Sequence, residues 1–173
     1  RSLVTWLHQD KTITLEEAQR VTARCAQAES VQHPLVRLAS VSVRRASDDK
    51  AMDIELLTQW LAQRTGLAYL RIDPLKVEVG KVADTMGAIY AERHKILPVQ
   101  VTASEVTPTE LVVATAEPFM TDWVSEVERQ ARRSVRRVLA SPMEIQRYTA
   151  EFYALAKSVR AANKAGGNPG GAS

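Results

Sequence analysis

The chain is poor in the residues on which catalytic and ligand-binding motifs depend. Residues 1–65 contain no glycine, and the 173 residues include one cysteine, Cys25. A single cysteine excludes an internal disulfide and a cysteine-cluster metal site. Aromatic residues make up 5% of the chain, so an aromatic platform for stacking bases is not indicated. The sequence has no run of about 18 apolar residues, and it therefore predicts no membrane-spanning helix.

A phosphate-binding loop is also missing. Such a loop has a glycine five positions before a Gly-Lys pair, but the position five before Gly80-Lys81 is Leu75. The histidines show no helical pairing that would suit a metal ion; they are His8, His33 and His94. Cys25 falls on the apolar side of a predicted helix, which favours an inert buried thiol. We therefore predict no catalytic residue, no cofactor and no metal site in this chain.

What the first half does contain is a helical pattern. Thr14 with Glu17 three residues later forms a capping-box signal that opens a helix. After Pro34 the apolar residues suit either a short helix or an extended segment, and the pattern leaves both open. Asp53 is a candidate N-cap for a further helix, and Gly66 stands where a left-handed C-cap would end it. Residues 1–49 are predicted to be a helical subdomain.

From residue 66 onward the pattern changes to strands alternating with helices. Four apolar runs read as strands, at residues 67–72, 96–102, 111–116 and 134–140. Apolar residues at helical spacing lie between the first and second runs and between the third and fourth, which predicts a helix at each place. A final helix begins at Ser141-Pro142. The order strand-helix-strand-strand-helix-strand-helix predicts an α+β fold, a small-sheet sandwich with helices on one face.

The last predicted helix has an apolar stripe, and a glycine-rich tail follows it. The stripe that we expect to be buried consists of Ile145, Tyr148, Phe152, Leu155 and Val159. The predicted sandwich domain spans residues 50–162, and residues 163–173 read as a flexible linker. Because the chain begins with Arg1 rather than methionine and ends in this tail, we expect it to be part of a longer protein.

Several strings resemble one family. LAYLRIDPLKV, YAERHKILPV, ATAEP and VLASPMEIQRY occur in an order and spacing similar to those of the N-terminal region of type II secretion ATPases. Type IV pilus assembly ATPases are relatives of that family. The resemblance covers about residues 50–160 well, whereas residues 1–49 agree only in helical character and in the Pro34-Leu35 pair.

The resemblance implies a cytoplasmic, hexameric ATPase whose motor domains lie downstream of Ser173. In that family the N-terminal region is not itself catalytic and docks the motor onto the cytoplasmic domain of an inner-membrane platform protein. It also moves relative to the motor during the nucleotide cycle. The expected location is therefore cytoplasmic and peripheral to the inner membrane, and the expected partners are the platform protein and the downstream ATPase domains.

The platform contact is predicted on the helical residues 1–47. The candidate residues are Arg20 and Arg24 on the polar face of a helix, with Trp6 as an aromatic anchor of the kind that interfaces favour. Trp6 is equally suited to a core position.

A second candidate contact is a cluster of arginines late in the chain. Residues 120–173 carry nine Lys or Arg against five Asp or Glu. For Arg132, Arg133, Arg136 and Arg137 the hypothesis is contact with the motor domain or a neighbouring subunit. The alternatives are a solvated helix end and edge strand, or binding to nucleic acid or an acidic membrane, which would depend steeply on salt. We predict no nucleic-acid partner.

Some relatives of the family sense a cyclic dinucleotide through a motif that begins Arg-Leu-Gly, with a further glycine about ten residues later. Here the corresponding residues are Arg1-Ser2-Leu3 and then Asp10-Lys11. Close approach of the backbone to a ligand typically needs glycine. Cyclic-dinucleotide sensing is therefore the alternative to the docking function and not the first hypothesis.

Overall fold

The structure, a computed structural model, describes residues 3–26, 32–102 and 110–166. The chain divides into two compact units, Arg1–Arg64 and Thr65–Ser173. The predicted domain boundaries after residues 49 and 162 stay predictions. Residues 163–166 continue the last helix, and the remainder of the predicted linker, residues 167–173, lies outside the described residues.

The first unit is built from helices, and their caps follow the sequence. The elements are α1 (Leu3–Gln9), α2 (Leu15–Ala26), α3 (Pro34–Ser40) and α4 (Ile54–Thr65). The Glu17 amide donates to Thr14 Oγ1 over 3.1 Å, and the Leu56 amide donates to Asp53 Oδ1 over 2.8 Å. Gly66 has φ +76° after α4. The predicted N-caps and the left-handed C-cap are therefore confirmed.

The segment that the sequence left open after Pro34 is helical. Pro34 stands at the start of α3, where its missing amide leaves no intrahelical bond unmade. The apolar side chains of the four helices and their connections form the core of this unit; the almost fully buried ones include Leu7, Ile13, Val21, Leu35, Leu38, Val43, Leu57 and Leu61. The prediction that Cys25 is buried is wrong, because its position near the end of α2 leaves it half-buried.

The second unit is α+β, as predicted. Its elements are β1 (Ala68–Tyr69), α5 (Val79–Thr85), α6 (Ala88–His94), β2 (Ile96–Thr102), β3 (Glu110–Thr115), α7 (Val124–Ala131), β4 (Ser134–Leu139) and α8 (Pro142–Gly166). The strand order is β1-β4-β3-β2. The pair β2/β3 is antiparallel, while β3/β4 and β1/β4 are parallel. The one helix predicted between the first two strands is two, because the chain is extended at Met86 and Gly87.

Helices cover both faces of the sheet, so the prediction that they cover one face is wrong. On one face, Val112 and Ala114 of β3 pack with Phe152 of α8. On the other, Leu111 and Val113 pack with Val127 of α7 and with Trp123 just before it. Successive side chains of a strand point to opposite faces, and β3 is buried at every position from Leu111 to Thr115. A strand that is apolar on both faces needs a layer of helices on each.

The stripe predicted for α8 is buried over only part of its length. Ile145, Tyr148 and Phe152 are buried as expected, but Leu155 and Val159 are 52% and 47% exposed. Ala156 is the last buried residue of α8 among the described side chains. The 25-residue helix therefore outruns the sheet that it covers, and its apolar spacing continues beyond the core.

Candidate docking surfaces

Trp6 lies in a cluster that joins the two ends of the first unit. Its ring is half-buried, with the guanidinium carbon of Arg64 5.0 Å from the ring centroid. Arg64 also donates to the carboxylate of Asp10, which accepts a second bond, of 2.9 Å, from Trp60 Nε1. This network links α1 to α4. Trp6 is thus partly committed to the fold, and part of its ring is still accessible.

Arg20 is held on several sides by its own unit. Its Nε and Nη2 donate to the two carboxylate oxygens of Glu17 over 2.6 and 2.8 Å. Nη2 also lies 3.1 and 3.2 Å from the carbonyl oxygens of Val41 and Ser42. Glu17 accepts a further 2.6 Å bond from the amide of Arg44. The bonds from Arg20 hold the pKa of Glu17 below its usual value, although burial acts in the opposite direction. Arg20 therefore ties α2 to the segment that follows α3.

A shallow cleft of about 290 Å³ lies beside Arg20. Its other arginines also have acidic neighbours: Arg44 lies 3.8 Å from Asp49, and Arg45 lies 2.5 Å from Asp48. The bond from Arg45 lowers the pKa of Asp48 to about 2. Each arginine of the cleft thus has a carboxylate beside it, and the cleft offers an anion little uncompensated positive charge.

Arg24 differs from Arg20, although both lie on α2. Its side chain is exposed, one helical turn beyond Arg20. Of the three predicted docking residues, Arg24 and Arg20 are both exposed and Trp6 is half-buried, but Arg20 is engaged within the fold. The structure places Trp6 and Arg20 in separate contact networks, and their roles in docking stay predictions.

The four arginines of the second cluster lie at and around β4. Arg132 is exposed and has φ 54° at the end of α7; the half-buried Arg133 connects it to the strand. On β4, Arg136 Nε lies 2.7 Å from Glu110 Oε1. Arg137, on the opposite face, donates to the Pro118 carbonyl over 2.9 Å. The structure therefore brings these arginines together at and just before β4, with Arg136 and Arg137 on opposite faces of the sheet.

Two glutamates on α7 make specific contacts. Their sequence context gives no reason to distinguish them from ordinary surface charges. Glu126 accepts a 3.3 Å bond from the Tyr90 hydroxyl; burial first, and then Glu126, raises the pKa of Tyr90. Glu128 Oε2 accepts a 2.9 Å bond from the backbone amide of Val135. No sequence signal points to the second contact, because these residues meet only when the chain turns back from α7 into β4.

Two features of chemical or membrane function are absent from the part of the chain that the structure describes. No group of three or more His, Cys, Asp or Glu side chains there is arranged to bind a metal ion. Within the same residues, no helix combines the length and apolar character that crossing a bilayer requires.

Comparison with known proteins identifies the family. The MshEN domain matches residues 65–159, which is more than half of the chain, and the chain belongs to this family. It is 37% identical over 135 residues to the type IV pilus assembly ATPase TfpB of Acinetobacter baylyi; the match covers 77% of this chain and 22% of TfpB. The chain thus spans about a fifth of the length of that relative.

Solved structures agree with this assignment at the level of the fold. The structure of MshE with cdg matches with a TM-score of 0.61 and 14% identity, over 88% of this chain and 99% of that one. The N-terminal domain of XpsE matches with a TM-score of 0.52 and 14% identity, over 87% and 95%. The predicted resemblance to the N-terminal region of secretion and pilus-assembly ATPases is confirmed.

Proposed function

We propose that the chain is a docking and regulatory module of a secretion or pilus-assembly ATPase and is not itself catalytic. The observation that carries this proposal is the MshEN match over residues 65–159, joined to a 37% identical pilus assembly ATPase of which the chain spans 22%. The matching regions are an N-terminal domain rather than a motor. In the whole protein, ATP hydrolysis would belong to segments downstream of this chain.

The proposed partner is the cytoplasmic domain of an inner-membrane platform protein, which would hold the ATPase at the cytoplasmic side of that membrane. We place the contact on residues 1–47. The exposed cation of Arg24 and the accessible part of the Trp6 ring support this placement, since aromatic and arginine side chains dominate the energy of interfaces. Arg20 would contribute mainly by keeping α2 in position.

Calorimetric titration of the chain with that cytoplasmic domain tests the proposal. We expect saturable one-to-one binding that Arg24→Gln weakens by about tenfold, the loss typical of an interface arginine. Lys76→Gln is the matched control, because it removes one exposed cation from the other unit. Full affinity in a protein that lacks residues 1–47 would refute the placement, and no binding at tens of micromolar would refute the docking function.

We further propose that the β4 arginines contact the downstream ATPase domains or a neighbouring subunit. The support is their grouping at and just before β4, with Arg132 and Arg136 exposed. Replacing Arg132, Arg133, Arg136 and Arg137 together by Ser in the full protein should lower its ATPase rate or impair its assembly. Unchanged rate and assembly would contradict this contact while leaving the platform contact untouched.

Binding of a cyclic dinucleotide is the second candidate function. The observation that favours it is the fold match to the structure of MshE with cdg, which extends over 99% of that chain. The absence of glycine from residues 1–65 and the charge-balanced cleft beside Arg20 argue against it. Amide shift changes that saturate at low micromolar cdg would make this the leading function, and no change at millimolar cdg would exclude it.

A further inference from the structure

Three strands of the sheet end in the same kind of turn, which exposes a large apolar side chain. β1 and β3 both run parallel to β4, so the carboxyl ends of all three lie at one edge of the sheet, here called the carboxyl edge. Each strand continues into a polar residue, a proline and a large apolar residue: Asp73-Pro74-Leu75 after β1, Glu117-Pro118-Phe119 after β3 and Ser141-Pro142-Met143 after β4. The apolar residues of these three turns are 94%, 61% and 57% exposed, in that order.

The polar residue and the proline of each turn explain this exposure. Asp73 Oδ1 accepts a 3.0 Å bond from the Leu75 amide, and Ser141 Oγ accepts a 3.1 Å bond from the Glu144 amide. The Glu117 carbonyl accepts a 3.1 Å bond from the amide three residues later. The fixed φ of proline suits the second position of a turn and the first position of a helix. Ordered local bonds thus hold each apolar side chain at the surface.

The three turns follow strands that are neighbours in the sheet. β4 lies between β1 and β3, and Tyr69, Leu139 and Thr115 stand in one row across them. Neighbouring strands are about 4.8 Å apart, so the three strand ends span roughly 10 Å. All three turns belong to the sheet unit, and the chain enters that unit at the opposite, amino end of β1.

This spacing suits an α-helix that lies across the strand ends. A helix advances about 5.4 Å per turn, which is close to the separation of the strands. Such a helix would therefore bring one apolar side chain to each of the three turns. The apolar side chains would come from positions i, i+4 and i+7, which form a single face of an amphipathic helix.

The charges differ between the two ends of the carboxyl edge, and they give the helix a direction. Beside Leu75, two cations stand against one carboxylate, whereas beside Phe119 two carboxylates stand against one half-buried cation. The first group is Arg71, Lys76 and Asp73, and the second is Glu117, Asp122 and Arg137, which donates to the Pro118 carbonyl. The positive end of the helix dipole is its N-terminus. Its first turn is therefore favoured over Phe119 and its last turn over Leu75.

We propose that the carboxyl edge, through Leu75, Met143 and Phe119, binds an amphipathic helix of a partner protein. That helix carries three apolar residues on one face, cations in its first turn and carboxylates in its last. Apolar anchors at this spacing are the usual means by which a helix is recognised. The inference goes beyond the proposed platform and motor contacts and depends on neither.

The test is an NMR titration of the whole chain with a synthetic peptide, Ala-Lys-Lys-Leu-Ala-Gln-Ala-Leu-Ala-Gln-Leu-Glu-Glu-Ala, with blocked ends. We expect saturable shifts of the amides in all three turns at peptide concentrations on the order of 1 mM or below. A peptide of the same composition whose leucines face different sides should bind at least about tenfold more weakly. Equal binding of the two peptides, or no shifts in the turns, would overturn the proposal. Shifts in the turns that depend on protein concentration without peptide would show that a second copy of the chain takes this place, and would overturn it as well.

Substitutions in the turns separate this surface from general apolar attraction. Leu75→Gln, Phe119→Gln and Met143→Gln should each weaken peptide binding by about fivefold or more, because each removes an apolar contact. Leu155→Gln is the matched control: Leu155 is 52% exposed on the same helix as Met143 but lies about 18 Å farther along it. Equal weakening by the control would contradict a surface formed by the turns. Because this readout is peptide binding to the sheet unit, it can fail while the platform contact holds, and the reverse is also true.

Discussion

Each of the two units is held together internally by a different kind of contact. In the helical unit, arginines join separate elements: Arg20 on α2 donates to the carbonyls of Val41 and Ser42, and Arg64 on α4 pairs with Asp10. In the sheet unit, two apolar layers hold the helices, and the neutral hydroxyl of Tyr153 donates to the Met86 carbonyl over 2.8 Å. The comparison shows that an arginine has a different role in each unit. In the helical unit most arginines are engaged in the fold, whereas near β4 Arg132 and Arg136 are exposed.

The largest effect is expected from Arg20→Ala. This change removes both bonds to Glu17 and leaves that carboxylate, which is 11% exposed, without its cation. A hydrogen bond to a charged group contributes about 1.5–3 kcal/mol to stability. We therefore expect a loss of about 2 kcal/mol in the free energy of unfolding of the helical unit. Hydrogen exchange in α2 and α4 measures it.

Arg24→Ala on the same helix is the control for that experiment. Because Arg24 is exposed, its removal should change the free energy of unfolding by no more than about 0.5 kcal/mol. Equal losses from the two substitutions would remove the distinction between an arginine that holds the fold and one that is available for contact.

Acid should weaken the helical unit by less than Arg20→Ala does. The carboxyl groups of Glu17 and Asp48 have lowered pKa values in the folded chain. Their ionised forms therefore stabilise the fold at pH values above the ordinary pKa values of these groups. That stabilisation is lost as the pH falls from about 4.5 toward about 2, the pKa of Asp48. Protonated Glu17 leaves Arg20 bound to the carbonyls of Val41 and Ser42, which explains the smaller loss.

Fluorescence at a series of pH values follows this change, because Trp6 and Trp60 lie in the helical unit and Trp123 lies in the sheet unit. Single-tryptophan variants separate the two signals. Simultaneous loss of structure around Trp60 and Trp123, with the same midpoint, would show that the charged contacts do not set the acid sensitivity of the helical unit.

Tyr153→Phe should have an intermediate effect on the sheet unit. The change removes the bond to Met86 at the break between α5 and α6, and one intramolecular hydrogen bond contributes about 1 kcal/mol. Burial raises the pKa of Tyr153 to about 12, so the hydroxyl keeps its proton, and the bond, throughout the acid titration. Denaturant unfolding monitored at Trp123 measures the loss; a loss that grows as the pH falls would contradict a neutral contact.

The smallest effect is expected from Arg136→Ser. In its ion pair with Glu110, the side chain of Arg136 is 52% exposed and that of Glu110 is 30% exposed. Surface ion pairs contribute about 0.2–1 kcal/mol to stability. The chain should therefore unfold with nearly unchanged free energy, which denaturant unfolding measures. A large loss of stability would show that this arginine, like Arg20, serves the fold.

The sequence predicted most elements and their capping residues, because these depend on local signals. Thr14, Asp53 and Ser141 each cap the helix that they were expected to open. The prediction of helices on one face failed although β3 is apolar at four successive buried positions, Leu111–Ala114. An apolar run of this kind is typical of a strand covered on both faces, so the sequence of β3 itself contains the signal for a second layer of helices.

The candidate surfaces could be predicted only in part. Sequence singled out the arginines but could not distinguish Arg20 from Arg24, because the carbonyls that hold Arg20 belong to residues 41 and 42, far along the chain. Nor could it show that Glu128 accepts a hydrogen bond from the Val135 amide. These features depend on which elements meet in three dimensions, and local spacing does not contain that information.

The most direct test of the docking account is chemical-shift mapping of the labelled chain against the cytoplasmic domain of its platform protein. The account predicts saturable shifts concentrated in residues 3–26 and 32–47, with Arg24 among the most affected, and little change along β4. Shifts confined to the sheet unit would contradict the proposed docking surface. No shift anywhere at tens of micromolar would contradict docking itself.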